Sequence, residues 1–375
     1  MTTKLNVLSI VPYCFLPPKM GGQKGIACFY DFFSKHINLT CVTTKNNDVN
    51  FASGYDALNI LSNNQFRYIN LFYFFTLRKI IQEKKITHLI IEHPYYGWLG
   101  LLLSKFCNVR LIVHSHNIES LRFKSIGKWW WLILWYYEKT IYQTADIVFF
   151  KTAEDEQYGI GKLKVNPARS TVITYGFELN IPPSTTQKKN ARDFLQSTYS
   201  INQQDKIILF NGTLDYKPNR DAVDTIIEKI NPILLNNKNF KYKIIICGKN
   251  LPPIYNELKD YSDKNIIYAG FVNDITMYYE GADIFINPVI DGGGIKTKLV
   301  EALGYNLNVI TTLSGAIGVP KNITSDKMKV IDNNNWEMFG IEIINCDGSI
   351  NISETFFKYF YWGEIAEKAS SFIFK

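Results

Sequence analysis

Short apolar runs rich in β-branched residues alternate with amphipathic stretches along most of the chain, and the alternation runs twice. In the first half, Leu5 to Val11, Leu39 to Thr43, His88 to Glu92, Arg110 to His114, Ile147 to Lys151 and Thr171 to Thr174 read as strands. Ile26 to His36, Leu71 to Lys84, Trp98 to Phe106, Lys128 to Thr144 and Glu154 to Tyr158 carry helical spacing between them. The pattern restarts with strands at Lys206 to Asn211, Tyr242 to Cys247, Asn265 to Ala269, Ile284 to Pro288 and Asn308 to Thr312. Helices are expected at Asp221 to Leu235, Pro253 to Tyr261, Ile275 to Glu280 and Lys296 to Gly304. Such alternation builds parallel sheets with helices on both faces, so the expected fold is α/β with two Rossmann-like domains. A length of 375 residues suits two such domains better than one core.

Ile181 to Asn190 (IPPSTTQKKN) has the composition of an exposed connector. It places the first domain at residues 1–182 and the second at 183–355, followed by an amphipathic terminal helix in 356–375.

Composition narrows the chemistry. With 46% hydrophobic and 20% charged residues the chain is globular, and its net charge of +7 does not choose among anionic partners. The basic residues do not run together into a stripe, which argues against nucleic acid. The six cysteines are scattered without a CxxC pair, so neither a zinc site nor a disulfide framework is indicated, and a reducing cytoplasm fits. The start, MTTKLNVLSIVPYCF, is too short and strand-like in its apolar part for a signal peptide. The most apolar run, Trp129 to Tyr137 (WWWLILWYY), falls well short of the ~20 residues that cross a bilayer.

The segment Asn287 to Leu303 (NPVIDGGGIKTKLVEAL) carries the strongest chemical signal. A buried-looking strand ends near Asp291, Gly292, Gly293 and Gly294 admit a ligand to the backbone, and a helix opens near Ile295. Its N-terminal amides and dipole, with Lys296 and Lys298, favour a phosphate. Glu301, further along, is placed for ribose hydroxyls. The same residues also suit a plain glycine turn before a solvated helix. Gly21 and Gly22 follow the first strand in a turn, PPKMGGQKG, and no GxGxxG follows that strand, which counts against a nicotinamide or flavin enzyme.

This stretch resembles the pattern G-(S/G)-G-(T/I)-(R/K)-x-K-x-x-E-A-L of the family 4 (group 1) retaining glycosyltransferases. FNGTLDYKPNRDAV, ICGKN and YAGFVNDITMYYEGADIFINP resemble the family's donor-domain segments in order, and Gly21-Gly22 and HSHNIES match segments of its first domain. The resemblance covers nearly the whole chain. It implies the GT-B fold: two Rossmann-like domains facing across a cleft, with the last helix, whose Trp362 starts a W-x-x-x-A match, crossing back to the first. It implies transfer of a sugar from a UDP- or GDP-sugar to a hydroxyl of a glycan or lipid-linked glycan, with retention and with no cofactor and no metal.

The implied donor site comprises Gly21, Gly22, Gly212, Lys217, Phe271, Val272, Asp291, Gly293, Gly294, Ile295, Lys296, Lys298 and Glu301, with the backbone at Phe271 and Val272 meeting the base. Lys298 is assigned to the diphosphate, Glu301 to the ribose and His116 to the transferred sugar. From the residues alone His114 or His116 is a structural histidine, and the resemblance selects His116. Glu119 either orients His116, meets the acceptor or serves its helix N-terminus. Asn219 is a helix-opening residue or part of the site.

Gly293 stands where many members carry a first Glu, with Asp291 a substitute, and Thr213 where others place an Arg, with Lys217 or Lys298 supplying the charge. A non-catalytic donor-binding scaffold of a glycan-assembly complex and a sugar-nucleotide 2-epimerase are the alternative readings. The Trp129–Tyr137 helix is either a core helix apolar all round or an interfacial one flanked by Lys124 and Lys128. In the second case it, with Phe72 to Phe75, suits peripheral contact with the cytoplasmic face of the inner membrane and a bacterial lipopolysaccharide, polysaccharide or glycoprotein glycan.

Overall fold

The computed structural model describes residues 4–18, 21–348 and 350–374. It forms two compact units. One comprises the chain up to Glu178, Gly293–Ile295 and the chain from Phe360 onward; the other comprises Leu179–Gly292 and Lys296–Tyr359.

The first unit is built on seven strands: β1 (Asn6–Ile10), β2 (Asn38–Thr44), β3 (Asp56–Leu61), β4 (His88–Glu92), β5 (Arg110–Ser115), β6 (Ile147–Phe150) and β7 (Ser170–Val172). Their order is β3-β2-β1-β4-β5-β6-β7, parallel throughout. The second unit has six: β8 (Lys206–Asn211), β9 (Tyr242–Cys247), β10 (Ile266–Gly270), β11 (Ile284–Asn287), β12 (Asn308–Thr312) and β13 (Met328–Ile331). Their order is β10-β9-β8-β11-β12-β13, again parallel. Central strands such as β4 and β6 are buried along their whole length, as a sheet covered on both faces requires. Edge strand β3 escapes sequence reading because Asp56 and Asn59 interrupt its apolar run. β13 and the helix Trp336–Ile344 are likewise additions to the expected elements.

Several expectations need correction. The segment read as a connector turns helical at Thr185 and runs to Tyr199. Ser184 and Gln187 form a reciprocal capping box, an S-x-x-Q signal present in the sequence. Gly21 and Gly22 open the helix Gly21–Phe33 rather than lying in a loop, while Lys19 and Met20 of that turn lie outside the described residues. The helix expected to begin at Asp221 begins at Lys217, with Pro218 in its first turn. Pro253–Lys264 is no regular helix, since Asn256, Glu257 and Leu258 all take positive φ.

The aromatic helix, Trp131–Thr144, is not apolar all round in its burial. Glu138, Ile141 and Tyr142 face the core while Leu132, Ile133 and Tyr136 are exposed.

The terminal segment divides into two helices, Glu354–Phe360 and Trp362–Ile373. At the break, Tyr361 is extended and pairs with Phe177 in a parallel bridge: Phe177 N–H donates to the Phe360 carbonyl and Trp362 N–H to the Phe177 carbonyl. The last helix packs on Gly21–Phe33. Trp362, buried beside Tyr175 and Phe29, lies flat over Gly176, where a Cβ would come within 2.3 Å of the indole. Only glycine leaves room for that ring.

Candidate active site

Open parallel sheets bind ligands beyond the carboxyl ends of their strands, where the strand order reverses. In the first unit that point lies between β1 and β4, and histidines and carboxylates converge there. Register brings Glu92, the last residue of β4, opposite His114 of β5. Its carboxylate accepts from Tyr30 Oη at 2.5 Å and His114 Nδ1 at 3.0 Å on one oxygen, and from His116 Nε2 at 2.5 Å on the other. Burial works against the Glu92 charge, but His114 and His116 hold its carboxyl well below the ordinary range. Burial lowers both histidines, with His93 adding to the effect on His116, so they act as neutral N–H donors to an ionised acid. Glu92, His114 and His116 also bring ligand atoms within 4.8 Å of one another, the arrangement among the described residues that could hold a metal ion.

A second layer lies against the first. The His93 ring stacks on His116 with centroids 4.4 Å apart, donates through Nδ1 to Glu119 at 3.0 Å and meets Tyr13 Oη through Nε2 at 3.1 Å. His93 holds φ 63° and ψ 164°, a backbone region that belongs almost entirely to glycine. Glu119 also receives Tyr95 Oη and Arg122 Nε, each at 2.7 Å. Its burial is outweighed by His93, Arg122 and Tyr95, which draw its carboxyl down to about 2. Glu119 therefore orients His93, not His116; Glu92 orients His116.

The capping role considered for Glu119 belongs to Glu138 of the aromatic helix, which accepts the Glu119 and Ser120 amides at 2.7 and 2.9 Å. Lys151, just past β6, is buried with no hydrogen-bond partner for its ammonium among the described residues, and burial lowers it to about 8.

In the second unit the order reverses between β8 and β11, and the side chain standing there is Lys298. It rises from the first turn of Thr297–Gly304 and donates to the Asn211 carbonyl and to Asn219 Oδ1, both at 3.0 Å. Both acceptors are neutral, and no carboxylate among the described residues lies within ion-pair distance of it. Burial, with Lys296 nearby, brings its ammonium down to about 7. Asn219 is tied by its Nδ2 to the Thr213 carbonyl at 3.0 Å and so positions Lys298.

Glu301 accepts from Tyr279 Oη at 3.2 Å. Tyr279 receives Asn211 Nδ2 at 2.9 Å and stacks on Tyr305. Tight backbone approach surrounds these groups: a Cβ at Gly212 would strike Asn219 at 2.7 Å, and one at Gly248 would strike the Gly212 carbonyl at 2.0 Å.

The remaining expected residues are distributed as follows. Gly292 and Gly294 take positive φ, which explains glycine there. Lys296 folds back onto the Gly292 carbonyl at 2.8 Å. Gly293–Ile295 group with the first unit and not with the sheet they leave. Lys217 is paired with Asp221, and Asp291 is exposed. Phe271 and Val272 follow β10, with the Phe271 ring largely exposed.

Family models match both halves of the chain: Glycosyltransferase Family 4 over residues 39–180 and Glycosyl transferases group 1 over residues 205–346. The chain is a family 4, group 1 glycosyltransferase.

Solved structures with the same two-sheet fold include sucrose-phosphate synthase of Thermosynechococcus elongatus. It is 14% identical with a TM-score of 0.73, covering 99% of this chain and 98% of that one. HepE of Anabaena in complex with UDP is 11% identical with a TM-score of 0.73 over 98% and 99%. WaaG, a glycosyltransferase involved in lipopolysaccharide biosynthesis, is 13% identical with a TM-score of 0.63 over 98% and 95%. At these identities the likeness establishes the GT-B fold. An uncharacterised 44.6 kDa protein in the cps region of Klebsiella pneumoniae is 27% identical over 178 residues, and the match spans 45% of each chain.

Sequence reasoning singled out the contiguous segment Asp291 to Glu301 together with scattered residues such as Gly21, His116 and Gly212. It missed Glu92, His93, Asn211 and Tyr279, whose partners lie far away in sequence. One signal was visible for the first pair: a charged residue closing an apolar strand, HLIIEH.

Proposed function

We propose that this glycosyltransferase moves a sugar from a UDP- or GDP-sugar to a hydroxyl of a glycan or lipid-linked glycan, with retention and without a metal. The observation that carries the reading is Lys298, a cation at the switch point of the second sheet that has only neutral partners. A diphosphate supplies the missing counter-charge. HepE of Anabaena has been solved with UDP and with UDP-glucose, which supports a nucleotide sugar as donor.

In the reaction the bond from the anomeric carbon to the diphosphate oxygen breaks while the acceptor hydroxyl oxygen bonds to that carbon. The hydroxyl proton passes to the departing phosphate, which leaves as nucleoside diphosphate. Lys298, Lys296 and the amides opening Thr297–Gly304 stabilise the charge that grows on it. Glu301, steadied by Tyr279, accepts from the ribose hydroxyls. His116, fixed by Glu92 and stacked on His93, is assigned to the transferred sugar. Gly21 and Gly22 offer amides at a helix start for the diphosphate.

Thermal denaturation with UDP-, GDP-, ADP-, CMP- and dTDP-sugars in the presence of EDTA tests this. One nucleotide class should raise the melting temperature, and Lys298→Ala should abolish the shift. No shift with any nucleotide would transfer the weight to a scaffold role. The histidine and carboxylate cluster of the first unit is what a 2-epimerase would need, and that reading requires an altered UDP-sugar among the products.

A further inference from the structure

Charge and exposed apolar surface are concentrated together in one part of the first unit. Residues 66–136 hold ten Lys and Arg against three acids, whereas the rest of the chain is balanced at thirty-one of each; the whole net charge of +7 therefore resides in this stretch. Two of its three acids, Glu92 and Glu119, are buried in the site described above, leaving Glu83 alone at the surface. Twelve of the twenty-four exposed large apolar side chains among the described residues fall in the same stretch.

The fold assembles these residues on one layer. Helices Phe72–Glu83, Gly97–Cys107 and Trp131–Thr144 pack side by side, the second touching both others, with their inner faces on one common core. Outward stand Phe72 at 78% exposure, Phe75 at 65%, Phe106 at 60%, Trp129 at 82%, Ile133 at 66% and Tyr136 at 61%. Arg78, Lys105, Lys124 and Lys128 are exposed among them, with no carboxylate in ion-pair distance among the described residues. Lys105 lies over Phe106 and Lys124 over Trp131, the mixture of ring and cation found at headgroup depth.

We infer that this three-helix layer docks on a bilayer surface rich in anionic phospholipid, lying in its plane. No helix of the described residues is long and apolar enough to cross. The inference deepens the acceptor side of the proposed function and rests on its lipid-linked acceptor. Charge selects the occupant: in a twofold contact with a second copy, the unpaired cations Arg78, Lys105, Lys124 and Lys128 would meet their own copies with almost no exposed acid between them. Nucleic acid would leave Phe72, Ile133 and Phe106 without an apolar environment.

The test is flotation of the full chain with vesicles, made without nucleotide sugar. Vesicles of phosphatidylcholine and phosphatidylglycerol should carry the protein up the gradient with a blue-shifted tryptophan emission. Phosphatidylcholine alone or high salt should weaken binding by about tenfold or more. Ile133→Glu combined with Trp129→Ser, both outside the core, should abolish flotation with the melting temperature unchanged. Lys124→Glu with Lys128→Glu should weaken it. Wild-type protein that does not float, a double variant that floats as well as wild type, or a dimer that Ile133→Glu dissociates would overturn the inference. Nucleotide binding measured in parallel separates the two readings: binding without flotation defeats the docking surface alone, and flotation without nucleotide binding defeats the transferase reading alone.

Discussion

The two switch points in this molecule handle buried charge in opposite ways. In the first unit the Glu92 carboxylate receives donors from three side chains and the Glu119 carboxylate from four, and burial lowers His114 and His116 beside them. In the second, Lys298 is a cation whose partners are a carbonyl and an amide oxygen. The first arrangement surrounds its carboxylates with donors; the second leaves a lysine with neutral acceptors and no counter-charge in ion-pair distance among the described residues. The contrast separates a densely bonded platform from a lysine site that, in the proposed function, grips the diphosphate.

The largest expected effect comes from breaking the platform. Glu92→Ala strands donors from Tyr30, His114 and His116, and each unmet buried donor costs about 1–3 kcal/mol. Urea denaturation should show a loss of about 3 kcal/mol or more. Lys298→Ala should show little loss of stability by the same measurement, with nucleotide binding falling instead. A Lys298→Ala protein as unstable as Glu92→Ala would erase the distinction.

Acid should attack the first unit on its own terms. Glu119 is drawn down to about 2 from an ordinary value of 4.5. Its stabilisation is full above that ordinary value and lost as pH falls toward 2, amounting to about 3 kcal/mol. Glu119→Gln should flatten that part of the pH profile.

Glu301→Ala should weaken nucleotide binding by roughly 1.5–3 kcal/mol through loss of charged hydrogen bonds, read by calorimetry. The same titrations run above neutral pH report on Lys298. With its ammonium at about 7, a diphosphate that needs it charged should bind with proton uptake. Affinity should fall by up to about tenfold per pH unit as pH rises past 7. Identical affinity at pH 7 and pH 9 would remove Lys298 from the diphosphate.

The smallest effect concerns His93. Its backbone conformation costs any residue but glycine about 1–3 kcal/mol, so His93→Gly should be more stable than His93→Ala by about 1 kcal/mol, although both lose the stack on His116.

The second site was far more legible in the sequence than the first, for a physical reason. Lys298 and Glu301 are neighbours on one short helix that starts at a glycine turn, so helical periodicity alone places them together. Glu92 meets His114 and His116 only because β4 lies beside β5 in a particular register, and strand adjacency is not written in local spacing. The Thr185–Tyr199 helix was hidden differently: its polar residues read as a linker although Ser184 and Gln187 spelled a cap. Strand β3 was lost because an edge strand need not be apolar.

Trp362 closing over Gly176 also sets an order of events on the ribosome. The first unit is made first, yet the ring that closes over Gly176 and the helix that covers Gly21–Phe33 are translated after every residue of the second unit. Folding during synthesis therefore favours the later-made unit, which owns all six strands of its sheet within residues 179–359, while the earlier one waits with an open flank for the chain behind it.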